Sequence, residues 1–270
     1  MNGALPLRQV KKPWGRDILS PPFVGAPGER IGEIWFEPPQ ELSQLLVKYI
    51  FTSEKLSIQV HPSSEEVSAA ASGLQGKDEC WLILDATPGA SLGIGFAEHI
   101  SPDAMRAAAL DGSIEGRMSW YPVKAGDFFY IPAGTVHAIG AGISLIEVQQ
   151  NCDITYRLFD YGRPRQLHLQ QGIAVAHGAP YDTGLRKHVP LLGTMRLVDG
   201  PIFRLDQVTG DSISGVAGDY SGPLLVVPRD LPVRIGKDLI SAGGCGIAES
   251  LDDLVLQPAG TYLIAQPCNA

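Results

Sequence analysis

Short stretches of alternating apolar and polar residues recur along this chain, and they predict strands. The clearest is the segment 56–62, in which Ser57, Gln59 and His61 alternate with apolar residues. Successive side chains of a strand point to opposite faces, so these three polar residues share one face. An amide and an imidazole placed two residues apart on one face can bind the same metal ion.

The same alternation predicts further strands along the chain. They cover residues 32–36, 45–52, 79–84, 127–132, 143–149 and 155–159. Residues 1–30 are rich in proline, glycine and basic residues, and this composition predicts an irregular arm.

Two segments have the composition of helices. Residues 63–72 predict a helix that Ser64 caps and that Gly73 and Gly76 end. Residues 101–111 predict a second helix with Ser101 as its N-cap.

The 31 glycines and 21 prolines are scattered, which favours many short elements in a β-rich sandwich or barrel. One internal echo relates residues 127–135 to residues 253–261, each a strand followed by a Pro-Ala-Gly turn. We interpret it as a repeated β unit in which only the first half kept a metal ligand, His137. The predicted domains are 1–185, which binds the metal, and 186–270, a smaller degenerate β domain.

Composition narrows the function classes. Of the 270 residues 44% are hydrophobic and 19% are charged, as in ordinary globular proteins, and the net charge of −8 argues against general binding to nucleic acid or anionic membranes. The four cysteines form no CxxC pair, and the N-terminus lacks the apolar core of a signal peptide. We therefore expect a cytoplasmic protein with no membrane or nucleic-acid partner.

Four residues have the chemistry of a metal site: Gln59, His61, Glu79 and His137. Two imidazoles, a carboxylate and an amide oxygen suit a borderline divalent cation such as zinc. Strands distant in sequence can converge inside a β-barrel, so we predict one Zn²⁺ per chain. Each histidine taken singly is more often a surface or structural residue.

Five motifs resemble the type I mannose-6-phosphate isomerases, a metal-dependent branch of the cupin superfamily. They occur in the family's order, at residues 31–35, 57–62, 76–81, 132–138 and 147–163. The resemblance implies a mainly β fold of two cupin-type jelly-roll β-barrels or sandwiches with a few short helices. It also implies zinc on the same four residues.

The resemblance further implies an arginine in the pocket, Arg157. By similarity, the substrate cleft is lined by Lys48, Ser57, Lys77, Glu147, Asp153 and Arg163. The region after residue 185 matches only vaguely, which leaves the role of the second half open. We expect the four tryptophans to pack in the core.

The implied reaction interconverts mannose 6-phosphate and fructose 6-phosphate through a cis-enediol. It needs an acid–base group, a stabiliser of the oxyanion and a binding site for the phosphate. Arg157, Lys48 and Lys77 are candidates for the phosphate. Glu147 is the preferred proton carrier if burial raises its pKa, with Asp153 orienting a partner; Lys77 or a metal-ordered water are alternatives.

Two other functions stay open at this stage. One is a non-catalytic sugar-phosphate-binding cupin regulator, and the other is a cupin dioxygenase or another sugar isomerase that uses iron or manganese. Gln59 in place of a third histidine argues against a dioxygenase. The sequence does not indicate an oligomeric state.

Overall fold

The computed structural model describes residues 2–70 and 75–268. Strands dominate the described residues. The strands are Gly3–Ala4 (β1), Leu7–Arg16 (β2), Ile31–Phe36 (β3), Leu45–Phe51 (β4), Ile58–Val60 (β5), Glu79–Ala86 (β6), Ser91–Phe96 (β7), Met118–Pro122 (β8), Asp127–Ile131 (β9), His137–Ile139 (β10), Ile143–Gln150 (β11), Tyr156–Phe159 (β12), Arg186–His188 (β13), Met195–Asp199 (β14), Phe203–Thr209 (β15), Leu224–Pro228 (β16), Val233–Ile235 (β17), Asp238–Ile240 (β18), Gly246–Ala248 (β19), Leu254–Val255 (β20) and Thr261–Pro267 (β21). The α-helices are Ser64–Ala70 (α1), Pro102–Asp111 (α2), Ile114–Arg117 (α3) and Leu169–Val175 (α4).

These strands form four antiparallel sheets. The larger sheet of the first half has seven strands in the order β13-β9-β6-β11-β4-β3-β2, and a five-stranded sheet, β12-β5-β10-β7-β8, faces it. The second half has a six-stranded sheet, β1-β19-β16-β21-β15-β14, and a three-stranded sheet, β18-β17-β20.

The apolar side chains divide these sheets into layers. One buried cluster, with Ile83 and Phe129 opposite Leu92 and Ile94, fills the space between the seven-stranded and five-stranded sheets. A second cluster packs helices α2 and α4 on the outside of the five-stranded sheet. A third cluster packs the other face of the seven-stranded sheet against the six-stranded sheet, and a fourth fills the inside of the second half. The face of the seven-stranded sheet that is turned towards the five-stranded sheet is therefore the one that can carry an enclosed polar site.

The first thirty residues are not an irregular arm, because ten of them form β2. This strand pairs with β3, beginning with Leu7 opposite Phe36, and its register shifts on either side of Lys11. It lies at the edge of the sheet, where charged residues and proline are common because one side of the strand has no partner. The composition of this edge strand is therefore close to that of a loop, and the prediction of an irregular arm is wrong.

Both described helix predictions hold in position, but one cap is different. Ser101 accepts a hydrogen bond from the amide of Ala104, and Gly112 ends α2 with φ +82°, as expected. At α1 the cap is Ser63 instead of Ser64: its hydroxyl accepts from the Glu66 amide at 3.3 Å, while its own amide donates to the Glu66 carboxylate at 2.7 Å. This reciprocal pair is a capping box. The predicted end of α1 at Ser72 and Gly73 lies outside the described residues.

The two copies of the internal echo differ in structure. The first forms β9, with five residues between two neighbouring strands, whereas the second forms β20, with two residues at the edge of the three-stranded sheet. The division into 1–185 and 186–270 stays a prediction, and one strand from each part extends a sheet of the other: β1 pairs with β19, and β13 with β9.

Among the described helices, none combines the length and the apolar composition required to cross a bilayer. The cytoplasmic location stays a prediction.

Candidate active site

Three predicted site residues lie side by side on the five-stranded sheet. Gln59 on β5 pairs with Arg157 on β12 at one side and with His137 on β10 at the other. The strand predicted at 56–62 is observed as β5, between β12 and β10, with His61 directly after it.

A second row crosses the opposite, seven-stranded sheet. It runs Trp35, Lys48, Glu147, Trp81 across β3, β4, β11 and β6, each residue in register with the next. Glu79 begins β6 two residues before Trp81, so alternation puts Glu79 on the same face as this row. The two sheets thus bring both sets of polar residues into one interior.

The predicted imidazole and carboxylate ligands converge. His137 Nε2 lies 3.3 Å from Glu79 Oε1, and His61 Nε2 lies 3.7 Å from Glu79 Oε2. The ligand atoms of these three residues all lie within 4.8 Å of one another, and all three side chains are buried. Gln59 Nε2 lies 3.3 Å from His137 Nε2, so the amide group is beside them.

The hydrogen bonds around the cluster fit a metal ion. Nδ1 of His61 lies 2.8 Å from the Ile154 carbonyl, and Nδ1 of His137 lies 2.9 Å from the Thr135 carbonyl. A carbonyl only accepts, so each Nδ1 carries the proton and each Nε2 presents a lone pair to the cluster. Glu79 Oε1 is buried and has no hydrogen-bond partner among the described residues. This carboxylate oxygen without a partner lies beside two imidazole lone pairs. A bound cation would be the partner of all three.

Burial keeps the two imidazoles neutral, as metal binding requires, whereas it acts against ionisation of the Glu79 carboxylate. Desolvation lowers the pKa of His137 to about 4 and puts that of His61 well below its ordinary value, so both rings are neutral. Desolvation raises the pKa of Glu79 to about 7, and the nearby Lys77 opposes the rise. The Lys77 ammonium contacts Glu79 Oε2 and lies 3.3 Å from His61 Nε2. Lys77 therefore supplies positive charge to this acidic cluster.

Lys48, Lys77 and Glu147 form a second charged group beside the metal cluster. Glu147 Oε1 lies 3.4 Å from Lys48 Nζ and 3.8 Å from Lys77 Nζ, and Glu147 Oε2 accepts from the Trp81 indole at 2.9 Å. All are buried.

Glu147 is expected from the sequence to carry the proton if burial raises its pKa, and this condition fails. Burial acts in that direction, but Lys77 and Lys48 together outweigh it and lower the pKa of Glu147 to about 2. The same carboxylates act on Lys77, whose pKa rises although burial lowers it. For Lys48 the effect of burial is larger than that of the carboxylates, and its pKa is lowered. Glu147 is thus ionised at neutral pH and Lys77 is protonated.

One cavity of about 310 Å³ opens beside these residues. Its lining comprises Lys12, Trp14, Glu33, Trp35, Lys48, Ile50, Leu56, Ser57, Gln59, Lys77, Glu79, Trp81, Ile139, Glu147, Cys152, Asp153, Thr155, Arg157 and Arg165. The cavity therefore contains six of the seven predicted catalytic and substrate-binding residues, together with two of the predicted metal ligands.

The remaining predicted residue, Arg163, is absent from this lining. Its guanidinium donates to the Lys55 carbonyl, lies 3.5 Å from Asp160 and covers the Tyr161 ring. Its assignment to substrate binding stays a prediction. Within the cavity, Ser57 is buried and lies 3.1 Å from the side-chain oxygen of Gln59, whereas Asp153 is exposed.

Several lining residues are not among those predicted from the sequence. Arg165 reaches the cavity while its guanidinium forms two hydrogen bonds of 2.6 Å with Asp160. At the other end Lys12 lies 3.2 Å from Glu33, which also accepts from the Trp35 indole. Lys48 Nζ lies 4.3 Å from the centre of the Trp35 ring. Trp35 is therefore part of the cavity wall and not simply core; the alternation at 31–36 contained this information, because it places Glu33 and Trp35 on one face.

Comparisons with known proteins point to one group of enzymes. The mannose-6-phosphate isomerase of Streptococcus mutans is 39% identical over 225 residues, which cover 78% of this chain and 67% of that protein. The mannose-6-phosphate isomerase ManA of Bacillus subtilis is 41% identical over 137 residues, 48% of this chain and 43% of that protein. No family model matches the chain.

The fold also has solved counterparts. The crystal structure of the mannose 6-phosphate isomerase from Bacillus subtilis superposes with a TM-score of 0.78, at 22% identity, over 98% of this chain and 99% of that one. A likeness at this level of identity concerns the fold. It confirms the predicted mainly β, cupin-type architecture.

Proposed function

We propose, since this chain belongs to the mannose-6-phosphate isomerase family, that it interconverts mannose 6-phosphate and fructose 6-phosphate. The observation that carries the proposal is one cavity lined by Lys48, Lys77 and Glu147 and by Glu79, the carboxylate of the His61–Glu79–His137 cluster. An aldose–ketose isomerase needs a stabiliser of negative charge next to groups that hold and move protons, and these two clusters have that chemistry. No comparison favours the non-catalytic regulator.

The proposed cofactor is one Zn²⁺ held by Gln59, His61, Glu79 and His137. A redox-inert cation suits a reaction without net electron transfer, and two imidazoles, a carboxylate and an amide are borderline-to-hard ligands. When bound, zinc supplies Lewis-acid chemistry that stabilises negative charge on the substrate's oxygens. The two carbonyls that hold the Nδ1 protons keep the rings oriented for it.

The proposed phosphate subsite lies at the arginine end of the cavity. Arg157 and Arg165 both line it, and Arg157 Nε is buried without a hydrogen-bond partner among the described residues. Asp160 already engages Arg165, and it lowers the net positive charge at this end. A phosphate carries nearly two negative charges near neutral pH and accepts from a guanidinium in a planar fork, so it satisfies both arginines. Binding energy at this remote group orients the reacting carbons.

Glu147 is the proposed proton acceptor at C2 of the sugar. It is ionised at neutral pH, and a base must be unprotonated before it can act. Its low pKa makes it a weak base as long as both lysines face it. A substrate oxygen that accepts a hydrogen bond from Lys77 weakens the longer of the two contacts, 3.8 Å, and so raises the basicity of Glu147. Lys77 then serves as the hydrogen-bond donor to the enediol oxygen.

A coupled assay tests this function. Mannose 6-phosphate is supplied, fructose 6-phosphate formation is followed, and the protein is compared as purified, after chelation and after zinc is restored. We expect turnover that chelation abolishes and that zinc recovers. In parallel, exchange of the C2 proton of the substrate with deuterated solvent is followed by NMR. Sugar-phosphate binding without exchange or turnover by the zinc-loaded protein would contradict the proposal and favour the regulator.

A further inference from the structure

A second cavity, of about 190 Å³, lies on the other side of the seven-stranded sheet. Tyr49 and Phe51 on β4 and Ser144 and Ile146 on β11 line it from the sheet, and Arg229 lines it from the second half. Tyr49 follows Lys48 on the same strand, so the two side chains point to opposite faces. This cavity and the active site are thus back to back on the same two strands.

One wall of the cavity is aromatic. The Phe23 ring lies 4.6 Å from the Tyr49 ring and 4.9 Å from the Phe51 ring, centre to centre, at interplanar angles of 57° and 65°. Tyr49 and Phe51 are almost completely buried, with 2% and 0% of their surface exposed. These tilted rings form a rigid apolar surface against which a further planar ring can pack.

Two polar groups of the lining are buried without partners. Ser144 is 3% exposed, and neither its hydroxyl nor Arg229 Nε has a hydrogen-bond partner among residues 2–70 and 75–268. Buried polar groups are nearly always paired, so each such group needs an explanation. Arg229 Nη1 is engaged by the Gln207 side-chain oxygen, which leaves the Nε edge of the guanidinium for another acceptor.

Arg229 forms no ion pair with a carboxylate among the described residues. Burial lowers the pKa of Arg229, and the charge of the neighbouring Asp230 opposes this without outweighing it. Oδ1 of the neighbouring Asp230 accepts hydrogen bonds from the backbone amides of Leu231 and Thr261. Asp85, which also lines the cavity, is exposed. A cation held in an apolar setting is stabilised when an anion joins it, because the anion supplies the charge interaction that water no longer provides.

We propose that this cavity is a binding site for a small aromatic carboxylate of about the size of benzoate. The ring packs on Phe23, Tyr49 and Phe51, and the carboxylate accepts hydrogen bonds from Arg229 and Ser144. Size supports this class of ligand, since a dry apolar cavity of about 150 Å³ is known to hold benzene and this one is somewhat larger. A guanidinium prefers a carboxylate over a neutral acceptor, so the charge is part of the recognition.

The test is isothermal titration calorimetry of sodium benzoate into the zinc-loaded chain of 270 residues. We expect saturable binding of one benzoate per chain, and binding about tenfold weaker or worse for benzyl alcohol, which keeps the ring without the charge. Arg229→Met is expected to weaken benzoate binding by about tenfold or more, whereas Arg234→Met, at an exposed arginine of the same half, leaves it unchanged. Saturating fructose 6-phosphate should not displace benzoate, because the two sites are on opposite faces of the sheet.

Ser144→Val provides a second variant. It removes the hydroxyl that β11 contributes to the cavity, and valine is favourable in a strand. We expect it to weaken benzoate binding, and this result supports the proposal even if Arg229→Met fails to fold. The proposal is overturned if benzoate shows no saturable binding, if benzyl alcohol binds equally well, or if fructose 6-phosphate displaces it. It is also overturned if both variants fold and bind benzoate as the parent chain does.

Discussion

Lys48 and Glu147 lie directly opposite each other on β4 and β11 and form a buried ion pair, with 3.4 Å between Nζ and Oε1. Lys48 also donates to Gln149 Oε1 at 2.6 Å, and Trp35 covers its ammonium. The register of two central strands therefore fixes the charge that faces the proposed proton acceptor. Lys48 therefore contributes both to the pairing of the two strands and to the charge of the cavity.

Removing this ammonium should destabilise the protein. In Lys48→Met, Glu147 stays buried with Lys77 as its remaining cation, at the longer distance of 3.8 Å. We expect a loss of about 3 kcal/mol in the free energy of unfolding, because breaking one partner of a buried pair leaves an uncompensated charge. Urea denaturation measures it. Lys237→Met, at an exposed position, should change stability by no more than about 0.5 kcal/mol, and an equal effect of the two substitutions would contradict the role of the pair.

The Glu147 carboxylate should make a stability contribution that disappears in acid. Lys77 and Lys48 overcome its burial and hold its pKa at about 2, below the ordinary value of 4.5. A carboxyl group with a lowered pKa stabilises the folded state above its unfolded pKa and loses this effect as the pH falls through the folded value. The stability advantage of the parent chain over Glu147→Gln should therefore be full above pH 4.5 and shrink by up to about 3 kcal/mol towards pH 2.

Denaturant titrations of the two metal-free proteins between pH 6 and pH 2.5 measure this difference. Glu98→Gln, at an exposed position, serves as the matched control and should show no such trend. A stability difference that is independent of pH would mean that Glu147 is not held ionised by the two lysines.

Local patterns in the sequence identified much of the first half. Alternation places Gln59 and His61 on one strand face, and the capping residues Ser101 and Gly112 define α2, because both features depend on neighbours only a few residues away. The edge strand β2 was missed since lysine and proline in an edge strand resemble those of a loop. The fold class itself was predicted correctly and confirmed.

Interactions between distant residues were harder to predict. The direction of the pKa shift of Glu147 depends on Lys48 and Lys77, which reach it from two other segments, and the sequence does not give their distances. Arg165 was overlooked since its loop position follows no period, although it is two residues from Arg163 in an already suspected motif. Short-range motifs can thus predict which residues come together, while the electrostatics between them cannot be predicted from sequence.

The proposed metal site predicts a selective loss of zinc. His137→Ala removes one imidazole from the cluster, and we expect the zinc affinity to fall by at least about 100-fold and turnover to fall with it. Metal content after dialysis against a competing chelator, together with the coupled assay, measures both. His99→Ala, at an exposed histidine, should keep its zinc and its activity. A His137→Ala protein that retains full zinc would remove His137 from the ligand set.

The two arginines of the cavity should differ from metal ligands in their effects. Arg157→Ala should retain zinc but lower kcat/KM by about 100-fold, because Arg157 lines the proposed phosphate subsite and is also in register with Gln59, so its loss affects both the binding of the phosphate and the orientation of the sugar. Arg165→Ala should act mainly on binding and raise KM by about tenfold, since it removes a charged hydrogen-bond donor from the phosphate subsite. Inhibition by inorganic phosphate provides an independent measure, and it should weaken by a similar factor in Arg165→Ala.

Arg106→Ala, on the exposed side of α2, should match the parent chain in every measurement. If Arg165→Ala left both KM and phosphate inhibition unchanged, the phosphate would have to bind elsewhere, and the lysine end of the cavity, with Lys12 and Lys48, would become the site to test.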